Sequence, residues 1–442
     1  MLKRFSIENF SSFQSESTLD LTAGRTEVNS NHVVDFNKTK VLKSAVIYGA
    51  NASGKSNLIK ALDYGQKIIL EGIDSVNTHK KYFRLDEESA KKPTSFEYEL
   101  EINSEFFSYG FKLTFATRKV EEEWLYCISK AKPEKIFERS RESVTLGKRL
   151  QSDQVKHRFN IYIDDMKNQV DQLFLSEIAG KGLELDEAQV INDVFQWFKK
   201  KLLIIYPSST YNGIPSLCEN NKLSTLFRKY LNEFDTGIIN IETIEEDFEK
   251  SLKDFSDEVK KGIESNLLDS NAKVTITTNH GELLTIYKDN TGELKVQKIG
   301  LLHSKEFKEV FDLKDESDGT RRLFDLIPLI GIFSQDHTII IDEFDRSLHP
   351  KLTKNFFELF YKLNVSKTQL IITTHESTLL DLDLVRRDEI WFVEKNKYGS
   401  SKIFSLNQFK ARYDSKIEKA YLLGRYGAIP IFKTFNEISV DC

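Results

Sequence analysis

The chain is most constrained by three short pieces, one glycine-rich, one acidic and one ending in histidine, that stand far apart in sequence. The first piece, Gly49-Ala50-Asn51-Ala52-Ser53-Gly54-Lys55-Ser56, fits the pattern G-x-x-x-x-G-K-[ST]. Its glycines let backbone N–H groups curl around a β-phosphate, while Lys55 reaches the β/γ-phosphates and Ser56 ligates Mg²⁺. The apolar run Ala45-Val46-Ile47-Tyr48 before it predicts a buried strand. Residues 57–70 after it predict a helix with Leu58, Ala61, Leu62 and Ile69 on one stripe. A glycine loop between such a strand and such a helix is a phosphate cradle, with Gly49, Asn51, Ser53, Gly54, Lys55, Ser56 and Asn57 as its binding residues.

The second piece adds chemistry. Thr338-Ile339-Ile340-Ile341 predicts a central strand ending in Asp342 and Glu343, which places two carboxylates at the carboxyl edge of a parallel sheet, where ligands bind. Asp342 is expected in the Mg²⁺ shell beside Ser56, and Glu343 is expected to orient and deprotonate the attacking water. An Asp-Glu pair also opens ordinary helices, because acids suit the positive end of the dipole. The third piece, Thr373-Thr374-His375, follows the β-rich run from Leu370, so His375 should emerge at the same edge and face a γ-phosphate. Glu343, His375 and Lys55 form the expected catalytic set.

Most of the chain separates Lys55 from Asp342, so a large insertion splits the fold. No Asn-Lys-x-Asp guanine reader is present, and the nearest run, Asn396-Lys397-Tyr398-Gly399, lacks the acid; ATP is the expected nucleotide. Just before the acidic strand stands Glu316-Ser317-Asp318-Gly319-Thr320, followed by the apolar run 323–332. A Ser-x-Gly loop opening a helix offers a hydroxyl, N–H donors and a positive dipole end to an anion, and equally makes an ordinary helix cap.

With these residues in view, the sequence resembles the ABC-type ATPase heads of the SMC and RecF class. Residues 1–10 look like the first strand of such heads, and Asp342-Glu343-Phe344-Asp345-Arg346-Ser347-Leu348-His349-Pro350 looks like their acidic strand running into the D-loop. Four further words, Tyr82-Phe83-Arg84-Leu85-Asp86, Glu123-Trp124-Leu125-Tyr126, residues 386–392 and residues 424–430, are similar to those of bacterial RloA/AbiLi-like AAA-type ATPases. The resemblance implies an α/β P-loop NTPase: an ABC-type split head with an antiparallel β lobe and an inserted, mainly helical region. It also implies two heads closing on two ATP molecules, with Ser317 and Gly319 of one protomer capping the nucleotide held by Lys55 of the other. Two departures stand out. The only glutamine between Ser56 and Gln151 is Gln66, inside the helix after the cradle, so the glutamine that senses the γ-phosphate in such heads is unassigned. His349 stands where transporter-type heads carry an acid.

Organisation follows from these anchors. Residues 1–140 are expected to hold the cradle and an antiparallel β lobe, on the alternation of residues 96–102 and 107–115. Residues 141–304 form the inserted helical/β region. Residues 305–442 complete the head with signature loop, acidic strand, D-loop and His375. Within the insertion, 163–203 and 223–267 read as helical, with Phe195, Trp197 and Phe198 packing; 273–277 and 283–287 read as strands joined through Asn279-His280-Gly281. Pro207, Gly213, Pro215 and Gly237 and the lack of a sustained heptad argue against a long coiled-coil arm. The charged stretch 245–261 reads as the solvated face of a packed helix, and Lys199-Lys200-Lys201 as lysines facing water. The aromatic words at 421–430 suit a tail packed on its own domain or a docking surface.

With 63 basic against 68 acidic residues the net charge is -5, which exerts no overall pull on nucleic acid. No apolar run is long enough for a membrane span, and the start leads into an alternating strand, so the expected location is cytoplasmic. Cys127, Cys218 and Cys442 show no metal or disulfide spacing. Two function classes result. One is a defence ATPase that dimerises, or assembles further, through ATP and Mg²⁺ and gates a separately encoded effector such as a nuclease in abortive infection. The other is a RecF/SMC-like ATPase clamping DNA in repair or maintenance, which the absence of basic excess disfavours.

Overall fold

A computed structural model describes residues 1–25, 28–141, 143–166, 171–181, 186–209, 211, 221–267, 273–278, 283–289, 291–307, 309–409 and 416–429. The chain divides into two compact units. The first takes Met1–Pro207, Ser334–Asp345 and the chain from Lys354 onward; the second takes Ser208–Phe333 and Arg346–Thr353.

The first unit opens with β1 (Leu2–Glu8) and β2 (Ser17–Asp20), then a hairpin of β3 (Val33–Phe36) and β4 (Thr39–Leu42). The fully buried β5 (Ser44–Tyr48) follows and runs into the glycine loop and α1 (Lys55–Glu71). An antiparallel run then follows: β6 (Thr94–Ile102), β7 (Glu105–Thr114), β8 (Lys119–Cys127), β9 (Glu134–Ser140) and β10 (Val144–Leu146). These five join β1 and β2 in a seven-stranded sheet of order β10-β9-β8-β7-β6-β1-β2. Period-2 alternation works as expected: Phe96, Tyr98 and Leu100 enter the core while Glu97 and Glu99 face outward. One face of α1 buries Leu58, Ile59, Ala61, Leu62, Ile68 and Ile69, each contributing about 1.5–3 kcal/mol where a large aliphatic side chain leaves water.

Next come α2 (Asp153–Met166), α3 (Phe174–Gly180) and α4 (Gln189–Gln196), a π-helical turn at Trp197–Lys201, and β11 (Leu202–Ile205). Trp197 and Phe198 are buried as expected, and Lys199 and Lys200 are exposed. The helical reading of residues up to 203 is corrected at its end. Leu202–Ile205 is a strand, paired in parallel with the later strand Thr338–Ile341. A four-residue apolar run carries no period of its own, so neighbours decide its form.

The second unit holds α5 (Asn221–Glu233), β12 (Asn240–Asp247), α6 (Phe248–Ser251), α7 (Asp257–Asn266), β13 (Lys273–Thr277), β14 (Leu283–Lys288), β15 (Leu294–Leu302), β16 (Val310–Asp312) and α8 (Asp318–Ile330). Its sheet runs β12-β15-β14-β13 with β16 pairing β15, and Phe248, Leu252, Ile263, Leu284, Ile286 and Val296 share a small core. The helical reading of 223–267 is corrected here too. Asn240–Asp247 is a strand registered against β15 over its whole length, so the charged stretch from 245 begins on a strand before α6 and α7. The turn expected at Asn279-His280-Gly281, Gly213, Pro215, Cys218 and Cys442 lie outside the described residues. Among the described residues the longest helix is the 17-residue α1, and no helix is long and apolar enough to cross a membrane.

The first unit is completed by β17 (Thr338–Ile341), most of α9 (Pro350–Leu363), β18 (Gln369–Thr373), β19 (Ile390–Lys395), β20 (Ser401–Ser405) and α10 (Ile417–Leu422). The six-stranded sheet that carries β5 has the order β11-β17-β18-β5-β19-β20, parallel except for the β19–β20 hairpin. The acidic strand β17 is thus separated from the cradle strand β5 by β18 alone, and all three end at one carboxyl edge. This is the expected α/β P-loop NTPase fold, with its antiparallel lobe and a mainly parallel sheet split between distant parts of the chain.

Candidate functional site

The cradle is built by backbone that the sequence forces out of regular structure. Ala52 (φ 63°) and Gly54 (φ 116°) both take left-handed conformations, and α1 starts directly after them. The N–H groups at the start of α1 have no partner within the helix and face the loop, so they are available to an anion. Ser53 is 4% exposed, and its hydroxyl is buried with no hydrogen-bond partner, a donor suited to a phosphate oxygen. Asn51 sits exposed on the turn, and the Asn57 amide donates to Ser12 Oγ at 2.9 Å.

Residues from the start of α1 meet residues that follow β17 and β18. Lys55 Nζ donates to Gly49 O at 2.7 Å and Ala50 O at 3.4 Å and lies 3.1 Å from His375 Nε2. An ammonium only donates, so Nε2 is the accepting nitrogen and the imidazole proton sits on Nδ1. Ser56 Oγ donates to Asp342 Oδ1 at 3.3 Å. Both are hard oxygens of the kind that Mg²⁺ accepts as ligands.

Thr373, the last residue of β18, organises the acids, and no local sequence signal gave it that role. Its hydroxyl donates to Asp342 Oδ1 at 2.5 Å and accepts the Glu343 N–H at 2.8 Å, while its carbonyl accepts the Phe344 N–H at 3.0 Å. Asp342 is 3% exposed, so its carboxylate depends on these donors. Glu343 sits at φ 47°, a left-handed conformation uncommon for a residue with a Cβ, which ends the extended run of β17. Asp345 was read only as part of the D-loop word. Its carboxylate oxygens both lie 3.3 Å from the His375 N–H, so it fixes the backbone that carries the imidazole.

Electrostatics follow from this crowding. Burial pulls the Lys55 ammonium down to about 8, against the opposing pull of Asp342, Asp345 and Glu343. His375, exposed on one side, is lowered by partial burial and then by the Lys55 charge, so the ring is neutral at pH 7. Burial, Asp63 and Asp342 drive the Tyr206 phenol far up, which keeps it protonated just past the end of β11.

Gln66 is used structurally: its amide donates to Phe198 O at 2.7 Å and Leu202 O at 2.9 Å, tying α1 to the start of β11. In the second unit, Ser317 caps α8, its hydroxyl accepting the Thr320 N–H at 3.2 Å. The His303–Glu316 pair, at 2.6 Å, holds the loop just before it. A Cβ on Gly319 would stand 2.7 Å from Ser347 O, so glycine lets the helix start pack against D-loop backbone. His349 Nδ1 accepts the Lys351 N–H at 3.2 Å and its carbonyl accepts the Thr353 N–H, so this histidine caps α9. The first unit therefore brings together Lys55, Ser56, Asp342, Glu343 and His375, whereas Ser317 and Gly319 belong to the second.

The family model described as "AAA domain, putative AbiEii toxin, Type IV TA system" matches residues 44–381. The SMC head domain from Thermotoga maritima is similar at 13% identity, covering 91% of this chain and 98% of that chain, with a TM-score of 0.38. The SMC head bound to the C-winged helix domain of ScpA is similar at 13% identity, covering 92% and 98%, with a TM-score of 0.41. No curated protein matches the chain.

Proposed function

The chain belongs to this AAA family, whose model spans residues 44–381, and from that membership we propose that it binds and hydrolyses ATP with Mg²⁺. The observation that carries the reading is the convergence of the Lys55 ammonium, the Ser56 hydroxyl, the Asp342 carboxylate and the His375 imidazole at one sheet edge. Lys55 and the amides at the start of α1 hold the β/γ-phosphates. Ser56 and Asp342 hold Mg²⁺, which supplies charge neutralisation on the phosphate oxygens. Glu343 takes the proton of the attacking water, and the neutral His375 orients the γ-phosphate.

We further propose that two copies close on two nucleotides, with Ser317, Gly319 and the start of α8 of one copy facing the γ-phosphate held by the other. The dimer then acts as an ATP-timed switch on a separately encoded effector, a nuclease among the candidates, in an RloA/AbiLi-like anti-phage system. Support comes from the four sequence words of that class and from the toxin–antitoxin description of the family. Phosphate release from ATP, sizing with and without ATP and Mg²⁺, and copurification with the products of neighbouring genes test it. ATP-dependent dimers that retain a neighbour's product support the switch. ATP-dependent retention of duplex DNA with no protein partner would favour the clamp instead.

A further inference from the structure

Two serines outside every motif are wired into the phosphate loop. Ser401 opens β20 and is 1% exposed; Ser12, in the loop between β1 and β2, is 7% exposed. The Ser401 N–H donates to Ser12 O at 2.7 Å. Ser401 Oγ lies 2.6 Å from Ser53 O and 2.8 Å from Ser12 Oγ, and Asn57 Nδ2 lies 2.9 Å from Ser12 Oγ.

Proton counting fixes the directions. The Ser53 carbonyl only accepts, so it takes the single Ser401 hydroxyl proton; Ser12 then donates to Ser401 Oγ, and the Asn57 amide donates to Ser12 Oγ. The result is a one-way chain from the first turn of α1, through two distant segments, to the carbonyl of Ser53. A trans peptide is planar, so its C=O and N–H point in opposite directions. Pinning the Ser53 carbonyl toward Ser401 therefore turns the Gly54 N–H the other way, into the cradle. The two hydroxyls also fill the space where a Cβ on Gly54 would stand.

We infer that Ser401, supported by Ser12, is a positioning residue for phosphate binding: it aims the Gly54 N–H at the β-phosphate without touching the nucleotide. The inference rests on the nucleotide reading above.

The test is calorimetric titration of ATP and of ADP, both with Mg²⁺, into wild type, Ser401→Ala, Ser12→Ala and the double variant. Because the β-phosphate is common to both nucleotides, Ser401→Ala should weaken both equally, by on the order of tenfold, the equivalent of about 1.4 kcal/mol. Turnover at saturating ATP should stay within about twofold. Ser12→Ala keeps the Ser401–Ser53 bond and should cost only about threefold, within the range of one modest hydrogen bond. The double variant should match Ser401→Ala, since the chain is cut at its last link. Unchanged affinities beside a lowered melting temperature would make the serines merely structural and overturn the inference, as would a loss confined to ATP. Should Ser401→Ala fail to fold, an unchanged Ser12→Ala affinity would overturn it as well. A wild type that binds neither nucleotide would instead sink the nucleotide reading, and this inference with it.

Discussion

Replacing Thr373 by valine keeps shape and β-branching and removes one oxygen. That oxygen serves two partners: it donates to the buried Asp342 carboxylate at 2.5 Å and accepts the Glu343 N–H at 2.8 Å. A hydrogen bond to a charged group contributes about 1.5–3 kcal/mol, and a backbone N–H left without a partner costs about 1–3 kcal/mol. Relaxation and water entry recover part of this, so a loss of about 2–4 kcal/mol is expected. At roughly 2–4 °C per kcal/mol for a unit of this size class, the melting temperature should fall by about 5–15 °C. The same oxygen sets where Asp342 and Glu343 stand, and misplacing a reacting group by about an ångström costs on the order of a hundredfold. ATP turnover in Thr373→Val should therefore drop between about 10- and 100-fold while ADP affinity holds within about threefold, because the cradle itself is untouched. Thr373→Ser restores the hydroxyl and should recover most of both quantities. Calorimetric melting and steady-state phosphate release measure them. A valine variant that melts and turns over like wild type would show that Thr373 does not position the acids.

Glu343→Gln should bind ATP as wild type and slow turnover by about two to four orders of magnitude, as loss of a general base does, so wild-type-like steady-state hydrolysis would sink the assignment. Ser317→Arg should abolish hydrolysis while each protomer still binds ATP. Mixed with Lys55→Ala protomers it should regain a quarter to a half of wild-type activity, because each mixed dimer keeps one intact site; heterodimers that form yet stay silent would argue against independent sites acting in trans. Lys55 gives two opposite pH trends. Its folded pKa of about 8 lies below the ordinary value of 10.5, so between these pH values the unfolded chain binds more protons and this group's contribution to stability rises with pH. A phosphate needs the charged ammonium, so ATP affinity should fall by up to about tenfold per pH unit above 8; a flat affinity profile from pH 7 to 10 would contradict the buried lysine contact.

The central parallel strands were legible because interior parallel strands read as unbroken apolar runs and each ends in a chemically loaded word: Ala45–Tyr48 before the cradle, Thr338–Ile341 before Asp342, Leu370–Thr373 before His375. Strands β11 and β12 were not legible. Leu202–Ile205 is too short to show a period, and Asn240–Asp247 carries charges that suit a solvated helix equally well; both are strands because a partner strand satisfies their backbone. The supporting side chains were also hidden. Thr373, Asp345, Ser12 and Ser401 find their hydrogen-bond partners in segments far apart in sequence, and nothing next to them in the chain announces those contacts.

The four words that carry the family resemblance turn out to do architectural work. Phe83 is buried with its N–H held by Asn9 Oδ1 at 3.1 Å, and Asp86 caps the short turn after it. Glu123 is buried, accepts the Phe174 and Leu175 N–H groups at 2.6 and 2.9 Å, and pairs with the buried Arg139 at 3.8 Å, so it fastens α3 to the antiparallel sheet. Arg386 and Asp388 form a buried pair at 2.7 Å, and Glu389 accepts the Arg386 N–H while lying 3.0 Å from His32 Nδ1. Tyr421 and Tyr426 stack on Phe392, which places the described part of the C-terminal word, short of Pro430, against its own unit. Buried charges of this kind are costly to remove singly, because the partner left behind stays desolvated. Their part in this chain is to hold its own elements together. The proposed ATP chemistry draws instead on the cradle and on the acids hydrogen-bonded through Thr373.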